Sequence, residues 1–166
     1  MILNHKAALE LVTRESADFR HLSLDGILRV HKQLVSGLGI SEGIREQPVG
    51  ITGTNYLPPE SKEELQEYLS ATLRIVNGKS HPVEAALIIS AMIASLQPFS
   101  DGNKRTARLI ANAVLMAHDY AALSYRSVDE LAYKKSVLLV DEQHSLYWYK
   151  RLFLEQFEFA VKTYFV

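Results

Sequence analysis

Apolar residues recur at helical spacing from about Leu3 to Val12, and again at Leu24, Ile27, Leu28, Val30, Leu34 and Val35, which predicts two amphipathic helices. Ser23 precedes the second helix as an N-cap whose hydroxyl can accept an otherwise unpaired amide hydrogen, and Gly37 and Gly39 end it. Ser61 with Glu64 three positions on forms a capping box that opens a helix to about Val76, stopped by Asn77-Gly78. Pro82-Val83-Glu84 opens the next, because proline in a first turn loses no hydrogen bond, and this helix reaches about Leu96. Its run from Ala85 to Leu96 reads as a buried helix; it is broken by Ser90 and Ser95 and falls short of the ~18–20 residues needed to cross a bilayer. Thr106 to Ala117 is apolar on most sides, as expected of a central element, and Val128 to Leu139 and Ser145 to Phe165 complete the helices.

Only between Gly39 and Glu60 does this pattern fail. Glycines and prolines break any helix there, and Val49, Ile51, Thr52 and Thr54 favour extended backbone, so a short hairpin with a glycine-permitted turn is expected. The predicted fold is therefore an all-α bundle carrying a short β-hairpin flap. With 166 residues, no internal repeat and no linker, the whole chain 1–166 is expected to form one domain.

Composition narrows the partners. A net charge of -1, from 18 basic and 19 acidic residues, gives no electrostatic reason to expect a nucleic-acid or membrane-surface partner. The absence of cysteine excludes disulfides and thiolate chemistry and fits a reducing cytosol, and the N-terminus lacks the layout of a secretory signal, so a cytoplasmic location is expected. The histidines at positions 5, 21, 31, 81, 118 and 144 are not spaced to share a zinc ion. The C-terminal aromatics Tyr147, Trp148, Tyr149, Phe153, Phe157, Phe159, Tyr164 and Phe165 read as packing rather than a base-stacking platform, since their surroundings are not basic, and a homo-oligomer contact among them is possible.

Chemistry concentrates in Gln97-Pro98-Phe99-Ser100-Asp101-Gly102-Asn103-Lys104-Arg105-Thr106-Ala107-Arg108, between two apolar helices. Gly102 and Asn103 tolerate positive φ, so successive amides can turn to one point, and the following helix adds its own N-terminal amides and dipole. Arg105 and Arg108 share a helix face from which both reach an anion, and Lys104 adds a third cation. Asp101 amid these groups would repel phosphate unless a divalent cation bridged them, which points to a magnesium nucleotide. Phe99 suits an anchor that drives the loop into the core. The competing reading is a plain inter-helix turn beside solvated arginines.

This segment resembles the signature loop of the Fic (Fic/Doc, Fido) family, H-P-F-x-D/E-G-N-G/K-R-x-x-R, at every position but the first. The stretch from Gly43-Ile-Arg45 to Pro59 resembles the family's flap, and His81-Pro82-Val83-Glu84 the start of its central helix. The resemblance implies a Fic-type helical bundle that binds ATP and magnesium and transfers AMP to a hydroxyl of a target protein. Position by position, it implies magnesium at Asp101, phosphates at Gly102, Asn103 and Lys104, and outer phosphates at Arg105 and Arg108. It also implies a target segment laid by β-augmentation along the flap at Val49, Ile51 and Thr52. Tyr133 and Asp141 fall where the family often offers a tyrosine and an asparagine to adenine, Asp141 departing from that pattern.

The family's first motif residue is a histidine that takes a proton from the attacking hydroxyl; here it is Gln97. A neutral amide is not a base near neutral pH, and loss of a positioned general base costs about 10²–10⁴ in rate. Gln97 retains only the ability to orient a hydroxyl or a water by hydrogen bonding. Three functions stay open: slowed or altered AMP transfer, a catalytically inactive nucleotide-binding and protein-docking pseudoenzyme, and phosphotransfer of the kind the Doc subgroup performs, which shares Lys104 but lacks this kind of flap. The family's regulatory pattern Ser/Thr-x-x-x-Glu-Gly/Asn is absent from the sequence, so that element is expected either to be missing from a shortened chain or to be supplied by a small inhibitory, antitoxin-like partner protein.

Overall fold

The computed structural model describes residues 1–164. Seven α-helices follow in order among these residues: α1 Ile2–Arg14, α2 Leu24–Val35, α3 Lys62–Asn77, α4 Pro82–Leu96, α5 Asn103–Ala117, α6 Glu130–Gln143 and α7 Tyr147–Tyr164. A single 3₁₀ turn, Ser16–Arg20, lies between α1 and α2. Helix starts follow the predicted caps. Ser23 Oγ accepts from Gly26 N at 3.1 Å, and Ser61 and Glu64 close a reciprocal box at 3.1 and 3.4 Å. Phe165, the predicted end of the last helix, lies outside the described residues.

Helices α4 and α5 form the centre and pack on each other more extensively than any other pair. Alanines on both, among them Ala86, Ala94, Ala107 and Ala111, are fully buried, and their small side chains let the two backbones approach. The pair α1–α2 covers α5, α3 covers α4, and α6–α7 pack on the remaining flank of α4. Three asparagines tie long connections to this frame by bonding one residue's backbone amide and carbonyl together. Asn77 holds Leu22, Asn112 holds Leu123 and Asn103 holds Phe99. Each satisfies a loop backbone that would otherwise be buried without partners.

The expected β-hairpin flap is not formed: among the described residues there is no β-strand. The segment 40–60 is irregular, and its hydrogen bonds run within the segment, to the α4–α5 loop or to Lys62 of α3 instead of across a strand pair. Thr54 Oγ1 captures the amide of Tyr56 at 3.0 Å, and the amide of Arg45 donates to Pro98 O at 2.9 Å. A lone two-stranded pair is marginal in water, and Pro48, Pro58 and Pro59 lack amide hydrogens where such a ladder would begin and end. The segment is a loop laid over the central pair, and the fold is all-α.

Candidate functional site

Helix α4 ends where Gln97 adopts left-handed backbone, φ 47°, and α5 begins after Gly102, φ 82°. Two reversals within six residues turn the chain tightly. A Cβ on Gly102 would meet only ordinary contacts, the nearest at 3.6 Å, so the positive φ is what favours glycine there. Between the reversals Phe99 is fully buried and stacks on His31 of α2, ring centroids 3.8 Å apart and planes 7° from parallel. His31 Nε2 donates to Asp101 O at 3.1 Å, which leaves Nδ1 unprotonated and, among the described residues, buried without a partner. Burial, with repulsion from Arg105 adding to it, holds this imidazole below its ordinary pKa, so it is neutral at pH 7.

The loop surrounds a hollow of about 370 Å³ lined by Gln97 and Ser100 through Arg105. Cations lie on its α5 side. Lys104 carries no salt bridge among the described residues, and burial, then Lys134 and Arg108, depress its pKa. Arg105 reaches Asp101 Oδ2 at a loose 3.3 Å while its Nη1 has no acceptor among the described residues. Asp101 Oδ1 accepts from the Gly102 amide at 2.6 Å, and its side chain is 61% exposed. One hard, accessible carboxylate beside a cation-lined hollow suits a magnesium ion that keeps waters and shares a ligand's phosphates. No group of three or more metal-binding side chains occurs among the described residues, so a protein-only cage is not built here.

Gln97 Nε2 donates to Ala94 O, satisfying a carbonyl at the end of α4. The main-chain oxygen of Gln97 accepts from Arg45 Nε at 2.7 Å. Arg45, 4% exposed, also donates to Gln47 O at 2.8 Å and Pro59 O at 2.7 Å, fastening both ends of the 45–59 segment beside the loop. A second groove of about 720 Å³ adjoins the hollow at Gln97 and Lys104. Gly50 to Gly53 form one wall, and Leu131, Lys134, Val137 and Leu138 of α6 the other.

The predicted residues thus divide. Gln97, Asp101, Gly102, Lys104 and Arg105 line one hollow, with Arg108 a turn further along α5. Ile51 and Thr52 border the adjoining groove, and Val49 stands just before it. The side chain of Asn103 is committed to Phe99, leaving only its amide for a ligand. Tyr133 is 2% exposed beneath Arg108, and Asp141 is 4% exposed and bonded to Ser95 Oγ, with burial raising its pKa, so neither presents a free face. Arg45 and His31 take their roles from contacts to residues distant in sequence, which residue type and spacing do not disclose.

The sequence model of the Fic/DOC family matches residues 21–115, which include the loop. A relative named protein adenylyltransferase Fic, from Nematostella vectensis, is 28% identical over 116 residues, covering 68% of this chain but 27% of its own length. Among solved structures, Fic-1 from C. elegans aligns with TM-score 0.78 at 24% identity, covering 98% of this chain and 49% of that one. A Fic domain containing signaling protein from Bacteroides thetaiotaomicron aligns with TM-score 0.75 at 23% identity, covering 96% and 69%. At these identities the two structures speak to the fold. The chain spans about a quarter of the Nematostella relative and about half of the C. elegans structure.

Proposed function

The chain belongs to the Fic/DOC family, and from that premise we propose that it binds magnesium-ATP at the 97–108 loop and transfers AMP, at a rate limited by Gln97, to a hydroxyl of a target protein. The observation that carries this reading is the cation-lined hollow at the start of α5. Left-handed Gly102 feeds directly into a helix N-terminus, and Arg105 lines the hollow beside it. Helix amides, the dipole and Lys104 add to an environment complementary to phosphate. Asp101 is the residue that would hold magnesium, whose contribution when bound is to offset phosphate charge. The adjoining groove, where Leu131, Val137 and Leu138 stand beside Lys134 and Lys135, offers room for the nucleoside, and Ile51 and Thr52 on its other side border the place where a target segment would lie.

The protein adenylyltransferase named above supports AMP as the transferred group. A second reading is favoured by one contact: Gln97 donates one amide hydrogen to Ala94 O and so acts as an end-cap of α4. On that reading the protein holds nucleotide without transferring it. Phosphotransfer in the Doc manner also stays open, since the absence of a hairpin removes one ground for setting it aside. Among the described residues no carboxylate pairs with Arg108, which also fits an inhibitory partner that would supply one.

Calorimetric titration with ATP, with and without magnesium, tests the site; saturable binding that needs magnesium is expected, and none at millimolar ATP overturns both nucleotide readings. The mass added to a target protein then decides between AMP, phosphate and no transfer.

A further inference from the structure

Arg108 is gripped by two residues outside the signature loop. Its guanidinium carbon lies 4.2 Å from the ring centroid of Tyr133, on α6, and 4.7 Å from that of Tyr125, in the connection before α6. The two rings meet edge to face, 85° apart in plane with centroids at 6.1 Å, so the guanidinium occupies the corner between them. Tyr125 holds left-handed backbone, φ 54°, unusual for a bulky side chain and tolerated only where the surroundings demand it. Among the described residues the hydroxyl of Tyr125 and Nε of Arg108 are buried without hydrogen-bond partners, and no carboxylate lies within salt-bridge distance of Arg108.

A half-buried arginine is ordinarily steadied by a carboxylate, which fixes the fork but cancels its charge. Aromatic faces fix the same fork through the ring quadrupole and leave its net charge intact. We propose that Tyr125 and Tyr133 are positioning residues that pre-set Arg108, fully charged, for the outer phosphates of a nucleotide. This rests on the nucleotide reading above and gives Tyr133 a role at the phosphate end of the ligand instead of at adenine. The strained backbone of Tyr125 brings its ring against Arg108, and its unpaired hydroxyl leaves the ring as the part that the site uses.

Two measurements test the clamp. In the free protein, the Arg108 Nε–H proton should resonate upfield under the two ring currents, retain that shift in Tyr133→Phe and lose a large part of it in Tyr133→Leu, where the Tyr125 ring remains. In titrations, Tyr133→Leu should weaken magnesium-ATP binding about tenfold and AMP binding less than about twofold, while Tyr133→Phe binds both as wild type does. Equal losses for ATP and AMP, or a Phe variant as impaired as the Leu variant, overturn the clamp. If Tyr133→Leu fails to fold, Tyr125→Leu against Tyr125→Phe is judged by the same criteria. Normal ATP binding with an Arg108 proton indifferent to both leucine variants overturns the clamp alone. A shifted proton in a wild-type protein that binds no nucleotide overturns the nucleotide reading, and the role given to the clamp with it.

Discussion

Arg45 donates from Nε to the main-chain oxygen of Gln97 at 2.7 Å, across 52 positions of sequence. One buried side chain thereby joins the irregular 45–59 segment to the first residue of the signature loop, and its other two bonds fasten the segment at Gln47 and Pro59.

Arg45→Ala should therefore cost about 2–4 kcal/mol of stability, because three carbonyls lose a charged donor together. Denaturant melts of the variant and wild type measure this, and a difference below about 0.5 kcal/mol would mean that water replaces the guanidinium.

Replacing Arg105 or Arg108 by alanine should weaken ATP binding by roughly 1.5–3 kcal/mol each, the range for charge-assisted contacts to phosphate. Calorimetry reads the change. Unaltered affinity in both variants would remove the 97–108 loop as the nucleotide site.

Gln97→His supplies the missing base and should raise AMP transfer, by up to about 10²–10⁴ if the remaining geometry is competent. The variant also gives up the bond to Ala94 O, so a small loss of stability should accompany the gain. Target-protein mass spectra follow the activity; nucleotide binding with no added AMP would favour the binding-protein reading.

Stability should fall as the medium is acidified through the histidine range, and His31 should account for part of the fall. Burial lowers its folded-state pKa below the ordinary 6.5, so the unfolded chain binds this proton first as pH drops. The contribution is complete above about 6.5 and is lost from there down to the folded value. Denaturant midpoints at several pH values for wild type and His31→Gln test it: the variant should be less stable at pH 7.5 but show a shallower decline toward acid. Parallel curves would exclude His31 as the titrating group.

What the sequence determined by itself is local. Helix starts at Ser23, Ser61 and Pro82, and the reversals that glycine permits at Gly37, Gly39 and Gly102, depend on neighbours a few positions away, so they were legible from residue types and spacing. The tight turn of the 97–108 loop was legible for the same reason, since its glycine and the cations that line the hollow are contiguous. Tertiary structure decided everything resting on distant partners. It left the expected hairpin unpaired, because among the described residues there is no other strand to join and Arg45 gives the ends of the segment other partners. Tertiary contacts turned Asn103 inward to Phe99 and stacked His31 beneath the loop. They also set Arg108 between Tyr125 and Tyr133, three residues from three separate parts of the chain. A side chain's type limits what it can bond, but burial and geometry choose the partner, and those exist only after the helices have packed.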